Sequence, residues 1–324
     1  MSSSLLQHRI EYGLARALEA AVGAVSPRAA ERAGEVIGGL VRSPLAIRAG
    51  VVEENLRRAF PGADDAWIDA TARESYRNFG REVVTMLRLS TLDRGRLDAM
   101  LDIADEEWRA VEEARREGRG LIFATGHYGS WEMAAAAVAA HGIPIEAIVK
   151  RQSNPLVNGR IEAARRVLGV ETVDMGQAAR RVPRALLAGK AVGIVADQDA
   201  RGSGVWVPFF GTPASTHRGP ALFALRLGSP LFSAISRRQR DGRYRLSARR
   251  IDTERRGSLD EDVHRVTAAV ASHLEEEIRL DPAQYFWFHK RWKTPPPEET
   301  SQGLPGTTDH DPPAADDSGI SRPR

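Results

Sequence analysis

The sequence predicts an α/β protein: a mainly parallel sheet flanked by helices, with an N-terminal all-helical segment over residues 1–100, an α/β domain over 101–294 and a disordered tail over 295–324. Three observations predict it. Residues 1 to about 100 place their apolar side chains at helical spacing only. From about residue 118, short β-rich runs alternate with helical ones, the pattern of a parallel sheet covered on both faces. The last stretch, "PPPEETSQGLPGTTDHDPPAADDSGISRPR", is rich in Pro, Gly, Ser, Thr and Asp and carries too little apolar surface to order itself.

The first helix carries a stripe of Leu6, Ile10, Leu14, Leu18, Ala21 and Val25. That stripe suits packing on the core and equally suits an amphipathic helix lying on a membrane. Glu11, Arg16 and Glu19 interrupt it, so it does not read as a signal peptide. No run reaches the ~20 apolar residues that a membrane span needs. Pro27 starts a second helix. "IRAGVVEENLRRAF" gives a third, with Val51, Val52, Leu56 and Phe60 inward, stopped by Pro61 and Gly62. Asp64 or Asp65 caps a fourth, whose inward stripe is Ile68, Ala72, Ser75, Phe79, Val83 and Leu87.

In the second region "GLIFAT", "PIEAIVK", "VETVD", "AVGIVA" and "SPLFSAIS" read as strands. Helices starting at Ser130 and over 154–169, 177–189, 219–228 and 261–279 separate or follow them. A long polar loop runs from Asp197 to Arg218, and a hairpin turns at Asp241–Gly242. In such sheets ligands sit beyond the carboxyl ends of the strands. His127, Lys150–Arg151 and Asp197–Asp199 each follow a strand directly, which sends all three towards one crevice.

The chain has no cysteine, which excludes disulfides, thiolate metal sites and a cysteine nucleophile. Lys plus Arg outnumber Asp plus Glu by only 46 to 43, so the position of charge matters more than its total. Chemistry concentrates in "GHYGSWEMA" (126–134). With His127 in the strand-to-helix turn and Glu132 in the first helical turn, the carboxylate can reach back to an imidazole nitrogen. On one continuous helix the two would point ~140° apart. A carboxylate-held imidazole suits a general base acting on a hydroxyl, and free N–H groups at the helix start suit a developing oxyanion. The same residues equally suit a structural pair that caps a helix. Ser130 lacks the glycine pattern of a nucleophile elbow and reads as an N-cap. No two of the eight histidines lie at metal-ligand spacing, so no metal is expected.

Other candidates stand around this motif. Arg151 can hold a phosphate or thioester oxygen, or be an ordinary surface arginine. Asp197, Gln198 and Asp199 form either a D-x-D cation site or a cluster in which Asp197 approaches His127. Arg218 precedes a helix start at Gly219, a place where anions bind. Arginines 237, 238, 240, 243, 245, 249 and 250 crowd the hairpin, which reads as a solvated sheet edge or a contact for anionic head groups. The hairpin offers no stacking platform for nucleic acid beyond Tyr244. "YFWFHKRWK" (285–293) mixes aromatic and basic residues as membrane interfaces do, or packs its rings on the core.

"GHYGSWE" matches the H-x4-D/E box of glycerolipid acyltransferases. Its flanks resemble the bacterial lipid A biosynthesis acyltransferases and the relatives that acylate phosphatidylinositol mannosides. Four further blocks agree in order: "EENLRRAFP" (53–61), "KRQSNP" (150–155), residues 196–232 and "YFWFHKRWKTPP" (285–296). The resemblance spans roughly residues 8 to 296. It implies transfer of a fatty acyl chain from an acyl thioester, on acyl carrier protein or coenzyme A, to a glycolipid hydroxyl, with no metal or bound cofactor. It implies His127 as base, Glu132 as the residue that orients it, and Asp197 as a third member. Arg151, Asn154, Gln198, Asp199 and Arg218 would contact substrate. The expected partners are the thioester donor, the glycolipid and an anionic membrane surface, at the cytoplasmic face of the inner membrane. The N-terminal segment departs from the family's long apolar anchor, being charged and only amphipathic. Two other classes stay open on the residues alone: a metal-dependent glycosyltransferase using Asp197 and Asp199, and a non-catalytic basic membrane-binding protein.

Overall fold

The computed structural model describes residues 3–89, 92 and 94–297; most of the expected tail lies outside them. Four helices open the chain: α1 (Ser3–Ala24), α2 (Pro27–Arg42), α3 (Ala49–Ala59) and α4 (Asp65–Arg88). Ser26 caps α2 through the Ala29 amide, and Asp64 caps α4 through the Trp67 amide at 2.7 Å. Between α2 and α4 the backbones touch. A side chain at Gly80 would collide with the Gly34 carbonyl, and one at Gly38 with the Tyr76 carbonyl. These glycines are what lets the two helices lie so close.

The remainder alternates: α5 (Arg94–Met100), β1 (Leu101–Ile103), α6 (Asp105–Arg116), β2 (Ile122–Thr125), α7 (Trp131–Ala140), β3 (Ile145–Val149), α8 (Pro155–Val167) and β4 (Val170–Asp174). Then follow α9 (Ala178–Leu187), β5 (Ala191–Val195), β6 (Val205–Phe209), β7 (Thr212–Thr216), α10 (Gly219–Leu227), β8 (Leu231–Arg238), β9 (Tyr244–Ile251) and α11 (Leu259–Leu280). Seven strands form one sheet in the order β1-β9-β8-β2-β5-β3-β4, parallel except where β8 meets β9. The expected parallel α/β sheet with its helical N-terminal segment is thus observed.

Four expectations are corrected. The loop 197–218 contains an antiparallel ribbon, β6–β7. The arginine-rich hairpin is not at the edge: β8 is interior and β9 is covered by β1. Several of its arginines are committed internally. Arg238 is buried, bonding to Glu31 at 2.6 Å and the Tyr244 hydroxyl at 2.7 Å.

The fourth correction concerns α1, whose stripe is not core. Leu6, Ile10, Leu14 and Leu18 face outward, 42–67% exposed. Val22 alone packs inward, on Ala30, Val84 and Leu87, and polar contacts hold the rest of the helix. Asn154 donates to the His8 carbonyl and to Glu11, and Arg88 donates to the Val22 carbonyl. On α2, Val36, Ile37 and Leu40 are exposed as well. By contrast α3 and α4 share one core with the rest, Leu56, Ile68 and Tyr76 packing with Val207, Phe209, Ile235 and Trp287.

Candidate active site

The register of the sheet builds the site. In adjacent parallel strands Thr125 of β2 lies opposite Val195 of β5. His127 and Asp197 stand two residues beyond that pair, so both emerge side by side at the carboxyl end of the sheet. The His127 Nδ1 lies 2.7 Å from Asp197 Oδ1, and the His127 amide donates to Oδ2 at 2.9 Å. An ionised carboxylate only accepts, so Nδ1 carries the proton and Nε2 keeps its lone pair.

The turn carrying His127 is stapled on three sides. Its carbonyl accepts from the Phe286 amide at 2.9 Å. Gly129 donates to the Gln284 carbonyl and Ser130 to the Ser236 carbonyl. Gly129 has φ +51°, and a side chain there would enter the Ser236 carbonyl. Ser130 is the N-cap of α7, as expected from its sequence context.

Burial and charge pull the dyad in opposite directions. Burial would raise the Asp197 carboxyl, but the His127 charge and hydrogen bonds hold it at about 2. Burial would lower His127, but Asp197 outweighs it and leaves the imidazole above its ordinary value. The Asp197 side chain is 3% exposed and that of His127 22%, so the histidine is the member that meets a substrate.

Two spaces flank the dyad. On the His127 side lies a narrow aromatic groove, walled by Phe79, Trp131, Phe286 and Phe288. Trp131 and Phe286 rings stand 4.9 and 5.8 Å from the imidazole. On the Asp197 side lies a narrow apolar cavity between β8, α10 and α11, whose walls include Phe209, Ile235, Val270 and Leu274.

The structure places the other expected residues unevenly. Gln198 joins the dyad, its amide nitrogen 3.5 Å from His127 Nε2. Asp199 sits just behind, its amide donating to His289 Nε2 and its carboxylate accepting from Thr294, both at 2.9 Å. Asp197 is thus committed to His127, whereas Asp199 uses Oδ2 on Thr294 and leaves a buried Oδ1 without a hydrogen-bond partner. Among the described residues no group of three His, Asp or Glu side chains is arranged to hold a metal ion.

Glu132 does not meet His127. Following the helical turn, it points into the α7–α8 interface, where Arg165 Nε holds it at 2.9 Å. Asp197 takes the position at the imidazole that spacing gave to Glu132.

Arg151 stands outside the groove, 67% exposed, 3.5 Å from Asp174 at the end of β4. Asn154 is buried and structural: its oxygen caps α8 at the Leu156 and Val157 amides while its nitrogen clamps α1. Arg218 pairs with Asp260 at 2.8 Å. The single crevice expected for all these side chains thus holds His127, Asp197 and Gln198, but not Arg151, Asn154 or Arg218.

The sequence left "YFWFHKRWK" open between a membrane interface and the core, and its role behind the site was not foreseen. Tyr285, Trp287 and Arg291 are buried, so for these three the core reading holds. Arg291, 2% exposed, donates to the Ser215 carbonyl at 2.6 Å and to the Thr216 hydroxyl. Its charge helps to keep Asp197 ionised. Four aromatics and an arginine within seven residues is the density of a packed anchor, the signal that pointed inward.

Comparison with known proteins agrees with this geometry. The family model for bacterial lipid A biosynthesis acyltransferase matches residues 3–294. A phosphatidylinositol mannoside acyltransferase of Mycolicibacterium smegmatis is 28% identical over 67% of this chain and 70% of its own length. A lipid A biosynthesis palmitoleoyltransferase of Escherichia coli is 26% identical over 83% of this chain and 86% of its own. The lipid A biosynthesis lauroyltransferase of the same organism is 25% identical over 82% and 85%. A match across nearly the whole chain, with a histidine–carboxylate dyad at the carboxyl end of a parallel sheet, makes this protein an O-acyltransferase of the bacterial lipid A biosynthesis acyltransferase family.

Proposed function

We propose that the protein transfers a fatty acyl chain from an acyl thioester to a hydroxyl of a membrane glycolipid, with His127 as general base. The observation that carries this is the dyad itself: Nδ1 fixed by Asp197, Nε2 facing an aromatic groove, and an apolar cavity on the other side. The acceptor hydroxyl gives its proton to Nε2 as its oxygen attacks the thioester carbon. Asp197 stabilises the imidazolium that forms. Gln198 stands where an amide donor can meet the tetrahedral oxyanion. Collapse breaks the carbon–sulfur bond, and the leaving thiolate takes the proton back from the imidazolium. No acyl-enzyme forms, and the scheme calls on no metal or bound cofactor. The donor is acyl carrier protein or coenzyme A loaded with the chain. A lipid A precursor-like acceptor fits the names of the relatives.

The exposed apolar face of α1 and α2 supports peripheral seating on an anionic membrane, at the cytoplasmic side of the inner membrane. Arg9, Arg28 and Arg32 are exposed on the same two helices. Among the described residues no helix is long and apolar enough to cross a membrane. The groove of His127 includes Phe79, itself partly exposed, so an acceptor held in the bilayer reaches the base without leaving the surface.

The test incubates purified protein with labelled acyl-carrier-protein and acyl-CoA donors and a total lipid extract of the host, with and without EDTA. Label should enter a glycolipid, vanish with His127→Ala and persist in EDTA. Transfer unchanged by the substitution, or none from either donor, refutes the mechanism.

A further inference from the structure

We propose that His289 is a positioning residue of the reaction: by accepting the Asp199 amide it fixes the loop that presents Gln198 to His127. The inference rests on the acyl-transfer reading and deepens it by adding a second histidine, which acts through another residue. The Asp199 amide donates to His289 Nε2 at 2.9 Å. A ring nitrogen that accepts carries no proton, so this imidazole is neutral with its proton on Nδ1. Its backbone is anchored from α3, where Asn55 Nδ2 donates to the carbonyls of Trp287 and His289, both at 2.7 Å. Burial lowers His289 below its ordinary value, Asp197 and Asp199 pull it up, and Arg291 and His127 push it down. The balance keeps the ring an acceptor at neutral pH.

Gln198 stands between two pinned neighbours. Asp197 is held by both of its bonds to His127. Asp199 is held at its amide by His289 and at its carboxylate by Thr294, each at 2.9 Å. The Gln198 side-chain nitrogen reaches His127 Nε2 at 3.5 Å, too long a contact to set its own aim. Its direction is therefore set by the backbone on either side, and His289 fixes the side that the dyad does not. Protonating His289 replaces the accepting lone pair with an N–H, so the Asp199 amide loses its partner and that end of the loop is released. The dyad keeps both of its bonds, and the donor offered to the oxyanion loses its aim. Removing such a donor outright costs about 10²–10³ in kcat.

The experiment compares His289→Ala, His289→Gln, Gln198→Ala and the double variant His289→Ala with Gln198→Ala, measuring kcat and KM for the accepted thioester donor from about pH 4.5 to 9. Glutamine offers an amide oxygen near the place of Nε2 and cannot be protonated. His289→Ala should lower kcat about 10–100-fold with KM changed less than about threefold, and His289→Gln should restore most of the loss. Adding His289→Ala to Gln198→Ala should cost less than about twofold, since both act through one side chain. The acid limb steepens at low pH in the unmodified protein as both histidines protonate, and should keep unit slope in His289→Gln. An alanine variant with full activity, a loss that glutamine does not restore, or full additivity with Gln198→Ala overturns the inference. If the alanine variant does not fold, the slope of the acid limb in His289→Gln decides. Two readings need no substrate: ring-nitrogen NMR should show His289 protonated on Nδ1 alone, and the Asp199 amide should exchange slowly with solvent. Absence of transfer in every form refutes acyl transfer itself; a His289 ring protonated on Nε2 at neutral pH overturns the positioning role independently.

Discussion

Replacing Asp197 by Asn keeps the shape of the side chain beside His127 and removes its charge. The structure sets the size of the effect. A carboxyl held at about 2 against an ordinary 3.8 is worth on the order of 2–3 kcal/mol at about 1.4 kcal/mol per pH unit. In the proposed mechanism the same pairing stabilises the imidazolium formed as the acceptor hydroxyl loses its proton. Losing it should slow kcat/KM on the order of 10²-fold, and by as much as about 10⁴ if the amide also selects the wrong tautomer.

The pH profile supplies a second reading with a definite sign. His127 is raised above its ordinary value, so in the unmodified protein activity falls as pH drops through that raised value. Without the carboxylate only burial acts, and burial favours neutral imidazole. The acid limb of the Asn variant must therefore move to lower pH. The assay is kcat/KM from pH 5 to 9, paired with titration of the His127 ring protons by NMR. A loss smaller than tenfold, or a limb that stays in place or moves upward, refutes the dyad as the source of basicity. The depressed carboxyl also stabilises the fold: its contribution is present above about pH 4 and is lost as pH falls from there to about 2.

Two further outcomes follow from the same geometry. Glu132→Gln leaves Arg165 charged in the α7–α8 interface and should cost about 3–5 kcal/mol in urea unfolding while the His127 titration stays put; less than about 1 kcal/mol would show that the pair holds nothing. Ile10→Glu with Leu14→Glu alters only exposed positions, so stability should hold within about 0.5 kcal/mol. Co-sedimentation with anionic vesicles should drop tenfold or more, since each buried leucine-sized side chain adds roughly 1.5–3 kcal/mol, and unchanged binding would remove α1 from the membrane contact.

The sheet and its helices were legible because strands such as "GLIFAT" and "AVGIVA" differ in period and length from the helices between them. The dyad was only half legible. His127 announces itself by position, but its partner is chosen by which strand lies next to β2, a contact 70 residues away in sequence. Local spacing favoured Glu132, and the sheet register overruled it. The stripe on α1 fixed the helix but could not say which medium the stripe meets. β1 is three residues long, and β6 and β7 each contain a proline, so neither gave a strand signal. Tyr285–Arg291 is irregular backbone with no period to read, and only packing reveals what it covers.

That C-terminal segment has a consequence for the timing of activity in the cell. Translation delivers His127 and Asp197 long before Phe286, whose amide secures the histidine turn, and Arg291, whose charge lies behind the aspartate. A chain still on the ribosome, or one cut short ahead of Tyr285, holds the reacting side chains without the strap that aims them.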